Sequence, residues 1–301
     1  MSKVIGIGET VLDIVFENDV PVSAKPGGSV YNAMISLGRR GVKSLFVSEV
    51  GNDHIGGIIR RFLVENGVDD AGLCSFEGGK SPLALAFLDA DRNAQYTFYK
   101  DYPAQRLQFA MPPIEQNDVL LFGSYFAVNK VIRDKVEPLI RTAKKSGAML
   151  YYDVNFRASH KHELNAIMPT IIENYKYADI VKGSVEDFEI MYGTADVQKI
   201  YTEYVAPCCK LFVCTMGKDG VLLKNVDGEA HIPARPIKPV STIGAGDSFN
   251  AGFVYGLITN KITKSDLYRA DVLSVIGRPA EYGVEFASEV CQSYENYVAK
   301  Q

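Results

Sequence analysis

Short apolar runs alternate with helix-patterned stretches along most of this chain, and that alternation limits the fold more than any other feature. Val4–Ile7, Ser44–Val50, Val119–Phe122, Met149–Tyr152, Ala178–Lys182 and Leu211–Cys214 read as strands. Helical spacing marks about 29–40, 52–66, 129–146 and 161–175, and two short helices follow Lys182. Such an alternation predicts an α/β fold with a mostly parallel sheet covered on both faces. In sheets of this kind ligands sit at the carboxyl ends of the strands, where Asp153, Lys182, Thr215 and Gly244 all fall.

Several stretches depart from the alternation. Val11–Phe16 reads as a strand carrying a lone acid, Asp13, which is costly in an apolar strand unless a partner or ligand meets it. Ser81–Leu88 and Gln95–Lys100 read as a hairpin around a polar turn at 89–94, able to form a small separate sheet with Val11–Phe16. Pro21–Pro26 reads as a loop, and 264–299 as mostly helical with a break near Gly277-Arg278-Pro279.

The most chemically suggestive stretch is Ser241-Thr242-Ile243-Gly244-Ala245-Gly246-Asp247. Phe249, Phe253 and Leu257 follow at helical spacing, and Gly252 and Gly256 form a smooth second face that admits another backbone. The glycine loop therefore enters a helix N-terminus, whose first N–H groups lack intrahelical partners and attract an anion. Asp247 lies in that first turn, where the helix dipole favours its ionised form. An anion cradle beside a carboxylate suits phosphoryl transfer, with the backbone stabilising the transferred group and the acid taking a hydroxyl proton. A glycine entry loop with an aspartate near the cap reads the same stretch as purely structural.

Composition excludes several other classes. A net charge of −4 implies no broad basic surface for nucleic acid. No apolar run is long enough to span a membrane, and the N-terminus reads as a first strand rather than a signal peptide. Five cysteines without a C-x-x-C pair suggest neither a disulfide frame nor zinc, and point to a reducing cytoplasm. His160 and His162 have no further His or Cys nearby. There is no Walker A sequence and no complete G-x-G-x-x-G after a strand.

Four motifs in order resemble one family. Gly27-Gly28-Ser29-Val30-Tyr31-Asn32-Ala33, with Gly38 and Gly51, resembles the N-terminal signature of the ribokinase-like (PfkB) carbohydrate kinases. The stretch from Ser241 to Asp247 resembles their C-terminal signature. Asp153-Val154-Asn155-Phe156-Arg157 is similar to a motif of the fructokinase and ketodeoxygluconate kinase branch, and Thr215-Met216-Gly217-Lys218-Asp219-Gly220 to the nucleotide loop. The resemblance implies a three-layer sandwich in one domain, with a small β-sheet lid built from 11–24 and 82–103. It implies an ATP-dependent sugar kinase, with fructose ahead of a sugar acid, or else a non-catalytic sensor of the same fold. Asp247 would be the base, with the amides of Gly244, Ala245, Gly246 and Asp247 as anion hole. Asp13, Gly27, Gly28, Asn32 and Arg157 would meet the sugar. Lys182, Ser184, Thr215, Gly217 and Gly220 would line the phosphate and nucleotide side. Magnesium would arrive with ATP, with Asp187 reaching it through water, and a monovalent cation such as potassium would sit near Ser241 and Ile243.

The chain departs from the family pattern at several of these positions. Ser184 and Asp187 stand where Asn and Glu are frequent, Ser241 replaces a frequent Asp, and Tyr99-Lys100 replaces a frequent Tyr-Arg. Leu83 to Leu88 is apolar at every position, although a lid wetted on one face should alternate. Both faces of the hairpin are therefore expected to be covered, which predicts a homodimer joined through the lid.

Overall fold

The computed structural model describes residues 2–88 and 94–300. In chain order the elements are β1 (Val4–Ile7), β2 (Val11–Glu17), β3 (Val20–Gly27), α1 (Ser29–Arg39), β4 (Ser44–Gly51) and α2 (His54–Glu65). Next come β5 (Val68–Asp69), β6 (Leu73–Phe76), β7 (Lys80–Leu88), β8 (Ala94–Asp101), β9 (Val119–Gly123), α3 (Ser124–Val128), α4 (Arg133–Lys145) and β10 (Met149–Asp153). They are followed by α5 (Leu164–Tyr177), β11 (Ile180–Ser184), α6 (Val185–Tyr192), α7 (Val197–Ile200), β12 (Leu211–Thr215), β13 (Val221–Lys224), β14 (Glu229–Ile232), α8 (Ala245–Thr259) and α9 (Val272–Cys291).

The main sheet has the order β14-β13-β12-β11-β10-β9-β1-β4-β5, with β6 also paired to β4. Pairing is parallel from β5 to β12, and among the described residues only the β12–β13 and β13–β14 pairings are antiparallel, so β13 alone runs against the rest. Alternate side chains of each strand feed two separate cores. Val4, Val119, Leu121 and Tyr151 join a cluster with α1, α8 and α9, whereas Ile5, Ile7, Leu120 and Phe122 join one with α3, α4 and α5. Because both faces are buried, β1 and β9 read as unbroken apolar runs, whereas β4 carries the buried Ser48 and Glu49. The result is the expected three-layer α/β sandwich.

The second sheet has four strands in the order β3-β2-β7-β8. The hairpin is thus an element of a separate small sheet, not of the main one. Of its expected polar turn at 89–94, residues 89–93 lie outside the described residues, and Ala94 already belongs to β8. Pro21–Pro26 is not a loop. It lies in β3, an edge strand, where a proline costs no ladder hydrogen bond that the sheet needs.

Two helix expectations also change. The stretch 129–146 begins later, at Arg133, after the separate α3. The expected break at Gly277-Arg278-Pro279 is absent, and α9 runs through it unbroken. Packing explains this. A Cβ on Gly252 would overlap the Tyr282 carbonyl, and one on Gly256 would lie 2.5 Å from the Pro279 Cα. The smooth face of α8 thus receives α9 backbone to backbone, and burial against α8 outweighs the hydrogen bond that Pro279 cannot donate.

Candidate active site

Asp247 lies in the first turn of α8 at the carboxyl edge of the main sheet and is only 9% exposed. Gly244 precedes it as N-cap with φ 79°, and a Cβ there would sit 2.7 Å from the Asn296 carbonyl oxygen, so the turn needs glycine. Asn32 comes from the first turn of α1, and its Nδ2 donates to Asp247 Oδ2 at 2.9 Å. Gly28 caps α1 at φ 126°, flush against the Glu9 carbonyl, and a Cβ on Gly27 would overlap the Asp13 carboxylate. The structure thus brings Asp13, Gly27, Gly28, Asn32 and Asp247 together, although they come from the small sheet, α1 and α8.

The two acids are perturbed in the same direction. Burial, then the charge of Asp247, pushes Asp13 up to about 7. Burial raises Asp247 to about 6, opposed by the Asn32 hydrogen bond. The helix N-terminus was expected to favour the ionised form of Asp247, but removal from water outweighs it. Two neighbouring acids with values near neutrality are poised to exchange protons, and their titrations belong to the pair. Among the described residues the Asn32 Oδ1 atom, which is buried, has no hydrogen-bond partner. Such an orphan acceptor calls for a donor from outside the chain.

Behind the glycine loop lies a buried polar network. Lys182 Nζ donates to Asp153 Oδ1 at 3.0 Å, Asn250 Nδ2 donates to Asp153 Oδ2 at 2.7 Å, and Tyr151 Oη donates to Asn250 Oδ1 at 3.1 Å. Burial opposes the Lys182 charge, but Asp153 above all, with Asp187 and Asp247, outweighs it and raises the pKa. A Cβ on Gly246 would lie 3.7 Å from Lys182 Nζ, so this cation backs the anion cradle from below. Asp153 was placed at a ligand-bearing strand end without a role of its own, and Asn250 was not singled out. Asn250 had a signal, since it lies three residues beyond Asp247 on the same helix face.

The remaining expected site residues have mixed surroundings. Ser184 and Asp187 form a capping box on α6, with the Ser184 amide donating to Asp187 Oδ2 at 2.7 Å and the Asp187 amide donating to Ser184 Oγ at 3.1 Å. Thr215 donates its hydroxyl to the Gly183 carbonyl at 3.4 Å, and Gly217 and Gly220 turn the chain after β12 with positive φ. Ser241 accepts the Ile243 amide at 3.2 Å through its own hydroxyl. Arg157 is exposed, beside a cavity of about 10 Å³ that it shares with Ser124, Tyr125, Asn155 and His160, room for one water. Tyr125 and His160 stack there with ring centroids 3.9 Å apart, and Tyr125 donates to Glu163 at 2.8 Å.

The family model described as pfkB family carbohydrate kinase matches residues 1–292. Fructokinase-1 of Oryza sativa subsp. japonica is 28% identical over 275 residues, covering 87% of this chain and 85% of the relative. Aminoimidazole riboside kinase of Salmonella typhimurium is 27% identical over 260 residues, covering 85% and 81%. Among solved structures, a fructokinase double mutant from Vibrio cholerae in a fructose, ADP and potassium ion bound form superposes with a TM-score of 0.84 at 22% identity, covering 98% of this chain and 94% of that one. Aminoimidazole riboside kinase from Salmonella enterica, complexed with aminoimidazole riboside and an ATP analog, gives 0.83 at 23%, covering 100% and 97%. At these identities the structural likeness is one of fold.

Proposed function

The chain belongs to the pfkB family of carbohydrate kinases, and we propose that it transfers the γ-phosphoryl group of ATP to a hydroxyl of a neutral sugar, fructose. One observation carries the reading: a buried carboxylate, Asp247, sits at a glycine-rich helix N-terminus within hydrogen-bond reach of Asn32. A binding module has no use for such a base, which argues against a mere sensor. The names of the similar proteins, fructokinases above all, favour fructose.

In this reading Asp247 takes the proton of the attacking hydroxyl as its oxygen bonds to the γ-phosphorus, and the β–γ bridge oxygen leaves with ADP. The amides of Gly244, Ala245, Gly246 and Asp247 hold the transferred group, with Lys182 supplying positive potential behind them. Asp13, Gly27, Gly28 and Asn32 hold the sugar, whose hydroxyl satisfies Asn32 Oδ1, and Arg157 lies at the sugar's edge. Thr215, Gly217 and Gly220 line the nucleotide, with Ser184 on the phosphate side. Magnesium accompanies ATP and neutralises phosphate charge. Asp187 fits a water-mediated contact with it, since Ser184 occupies only one of its oxygens. The Ser241–Ile243 loop carries no carboxylate, and the Ser241 hydroxyl is already engaged. Potassium there would rest on carbonyl oxygens alone, and no step depends on it.

The small sheet serves as the lid of a single-domain enzyme, excluding water from the transfer. The face opposite Asp13 carries Ile14, Phe16, Leu83, Leu85, Phe87 and Tyr99 beside the polar Gln95 and Thr97, with Phe87 36% and Tyr99 57% exposed. An apolar sheet face of this kind favours a two-fold contact between lids, so the working unit is a homodimer, in the reducing cytoplasm that five free cysteines suit. Light scattering is expected to give a dimer at micromolar concentration, and Leu85→Lys a monomer. A wild-type monomer refutes the contact.

The kinase reading is tested by ADP release. ATP turnover is expected to depend on added fructose. A panel of neutral sugars and sugar acids that elicits no ADP above the sugar-free rate overturns the reading.

A further inference from the structure

We infer that Glu295 is a positioning residue: by holding Lys25 to the C-terminal segment, it keeps the Asp13 carboxylate open to a substrate hydroxyl. The inference rests on the kinase reading, in which Asp13 holds the sugar, and adds a residue to it.

Lys25 lies in β3 directly opposite Asp13 in the antiparallel β2–β3 ladder. Directly opposed residues project from the same face of a sheet with Cβ atoms about 4.5–5.5 Å apart, and opposite charges so placed normally pair. Here they do not. Among the described residues Asp13 makes no ion pair, with Lys25 or with any other cation. Its carboxylate leans toward Gly27, where a Cβ would overlap Oδ2. The Lys25 ammonium instead donates to Glu295 Oε1 at 2.6 Å and to the Tyr294 carbonyl at 3.4 Å.

Glu295 can hold the ammonium because its own backbone is fixed. Its amide donates to Ser293 Oγ at 3.1 Å. Two residues on, the Tyr297 ring is buried, 4.6 Å from the Arg39 guanidinium and 5.4 Å from the Phe62 ring centre. The Val298 amide donates to Ser36 Oγ at 3.3 Å, and its carbonyl accepts from Arg39 at 2.8 Å. These contacts seat the segment on α1, the helix that carries Asn32.

The surroundings of Asp13 give the placement of Lys25 its weight. Asp247 adds a like charge, and Tyr96 and Tyr297, which feel the Asp13 charge, are phenols that stay neutral at neutral pH. Lys182 is committed to Asp153 and Lys100 to Glu9, and the Arg157 charge acts on Asp247 and Tyr96. Lys25 is thus the cation one strand away. A buried carboxylate without a counter-charge gains most from acquiring one. An ammonium brought to Asp13 would occupy the lone pairs that a sugar hydroxyl needs, and the sugar would have to displace it. The Lys25–Glu295 pair, with side chains 29% and 45% exposed, contributes little to stability, so its loss is expected to change binding more than folding.

The test measures sugar binding by calorimetry without nucleotide, and initial rates over both substrates. The sugar is the one that supports the fastest ADP release, expected to be fructose. Glu295→Ala frees Lys25 for Asp13 and is expected to raise both Kd and KM for the sugar by about 10-fold or more, the usual worth of a charged hydrogen-bonding group. Its kcat, its KM for ATP and its Tm are expected to stay close to the wild-type values. Lys25→Met removes the competing ammonium and is expected to bind the sugar as the wild type does. The double variant Glu295→Ala/Lys25→Met is expected to recover wild-type binding. A clamp that merely ties the small sheet to the C-terminal segment would be broken equally by either single substitution and not repaired by the double one. Glu295→Ala with wild-type affinity, Lys25→Met as impaired as Glu295→Ala, or a double variant no better than Glu295→Ala each overturns the inference and leaves the kinase reading intact. A wild-type protein that releases no ADP with any sugar overturns both.

Discussion

Replacing Asp247 by Asn removes a base and a buried charge at once, and the two losses have opposite signs. The amide is nearly isosteric, and its carbonyl oxygen still accepts from Asn32 Nδ2. Turnover is expected to fall by about 10²–10⁴, the usual contribution of a general base. Stability is expected to rise. Folding lifts the Asp247 pKa from the ordinary 3.8 to about 6, chiefly by burial. A raised acid favours the fold only while protonated, so its contribution is complete below the unfolded value and is lost as pH climbs through about 6. Above that pH the ionised carboxylate destabilises the wild type by up to about 3 kcal/mol, at 1.36 kcal/mol per pKa unit. Asn carries no such penalty. For a chain of this length about 3 kcal/mol corresponds to roughly 5 °C in Tm. The assay is thermal unfolding at pH 8 and pH 4 beside ADP release with fructose. The variant is expected to melt higher at pH 8, with the gain gone near pH 4. A variant that melts lower at pH 8 refutes the burial argument, and near-normal turnover removes Asp247 from the base role.

The other expectations concern the neighbours of Asp247. The fructose-dependent kcat/KM is expected to fall as pH drops through about 6 to 7, where the Asp13–Asp247 pair takes up a proton and the base is lost; an acid limb near pH 4 would contradict it. Asp13→Asn removes the like charge, so it is expected to move that limb to lower pH and to weaken fructose use by about 10- to 150-fold, with ATP binding unchanged, as read by initial rates over both substrates. Gly252→Ala is expected to force α8 from α9 and cost about 1–3 kcal/mol in urea unfolding, because its Cβ meets a backbone carbonyl rather than a movable side chain; full stability would show that the helices have slack.

The main sheet was legible because its central strands are buried on both faces and so read as mainly apolar runs, even where β4 buries Ser48 and Glu49. The failures share a cause as well. Pro21 and Pro26 made β3 look like a loop, yet an edge strand accepts prolines. Pro279 looked like a break because the local cost of a proline was visible in the sequence, whereas the gain from docking on Gly256 lay elsewhere in the chain.

The same division runs through the site. Gly28, Asn32, Gly244 and Asp247 fall within short motifs whose chemistry is local, so they could be read in place. The Glu9–Lys100 pair spans 91 residues and Asp153–Asn250 spans 97. Each joins residues that only the sheet order brings together, and neither partner alone suggests the other. Ser184 and Asp187 lie between these cases. Their spacing of three is a helix-capping signal as much as a phosphate-side one. The structure uses both side chains as a cap, which fixes Asp187 at the carboxyl end of β11 with one oxygen to spare. Capping and a water-mediated magnesium contact therefore do not compete. The cap immobilises the carboxylate, and an immobilised carboxylate reaches an ion's water shell at lower entropic cost than a free one.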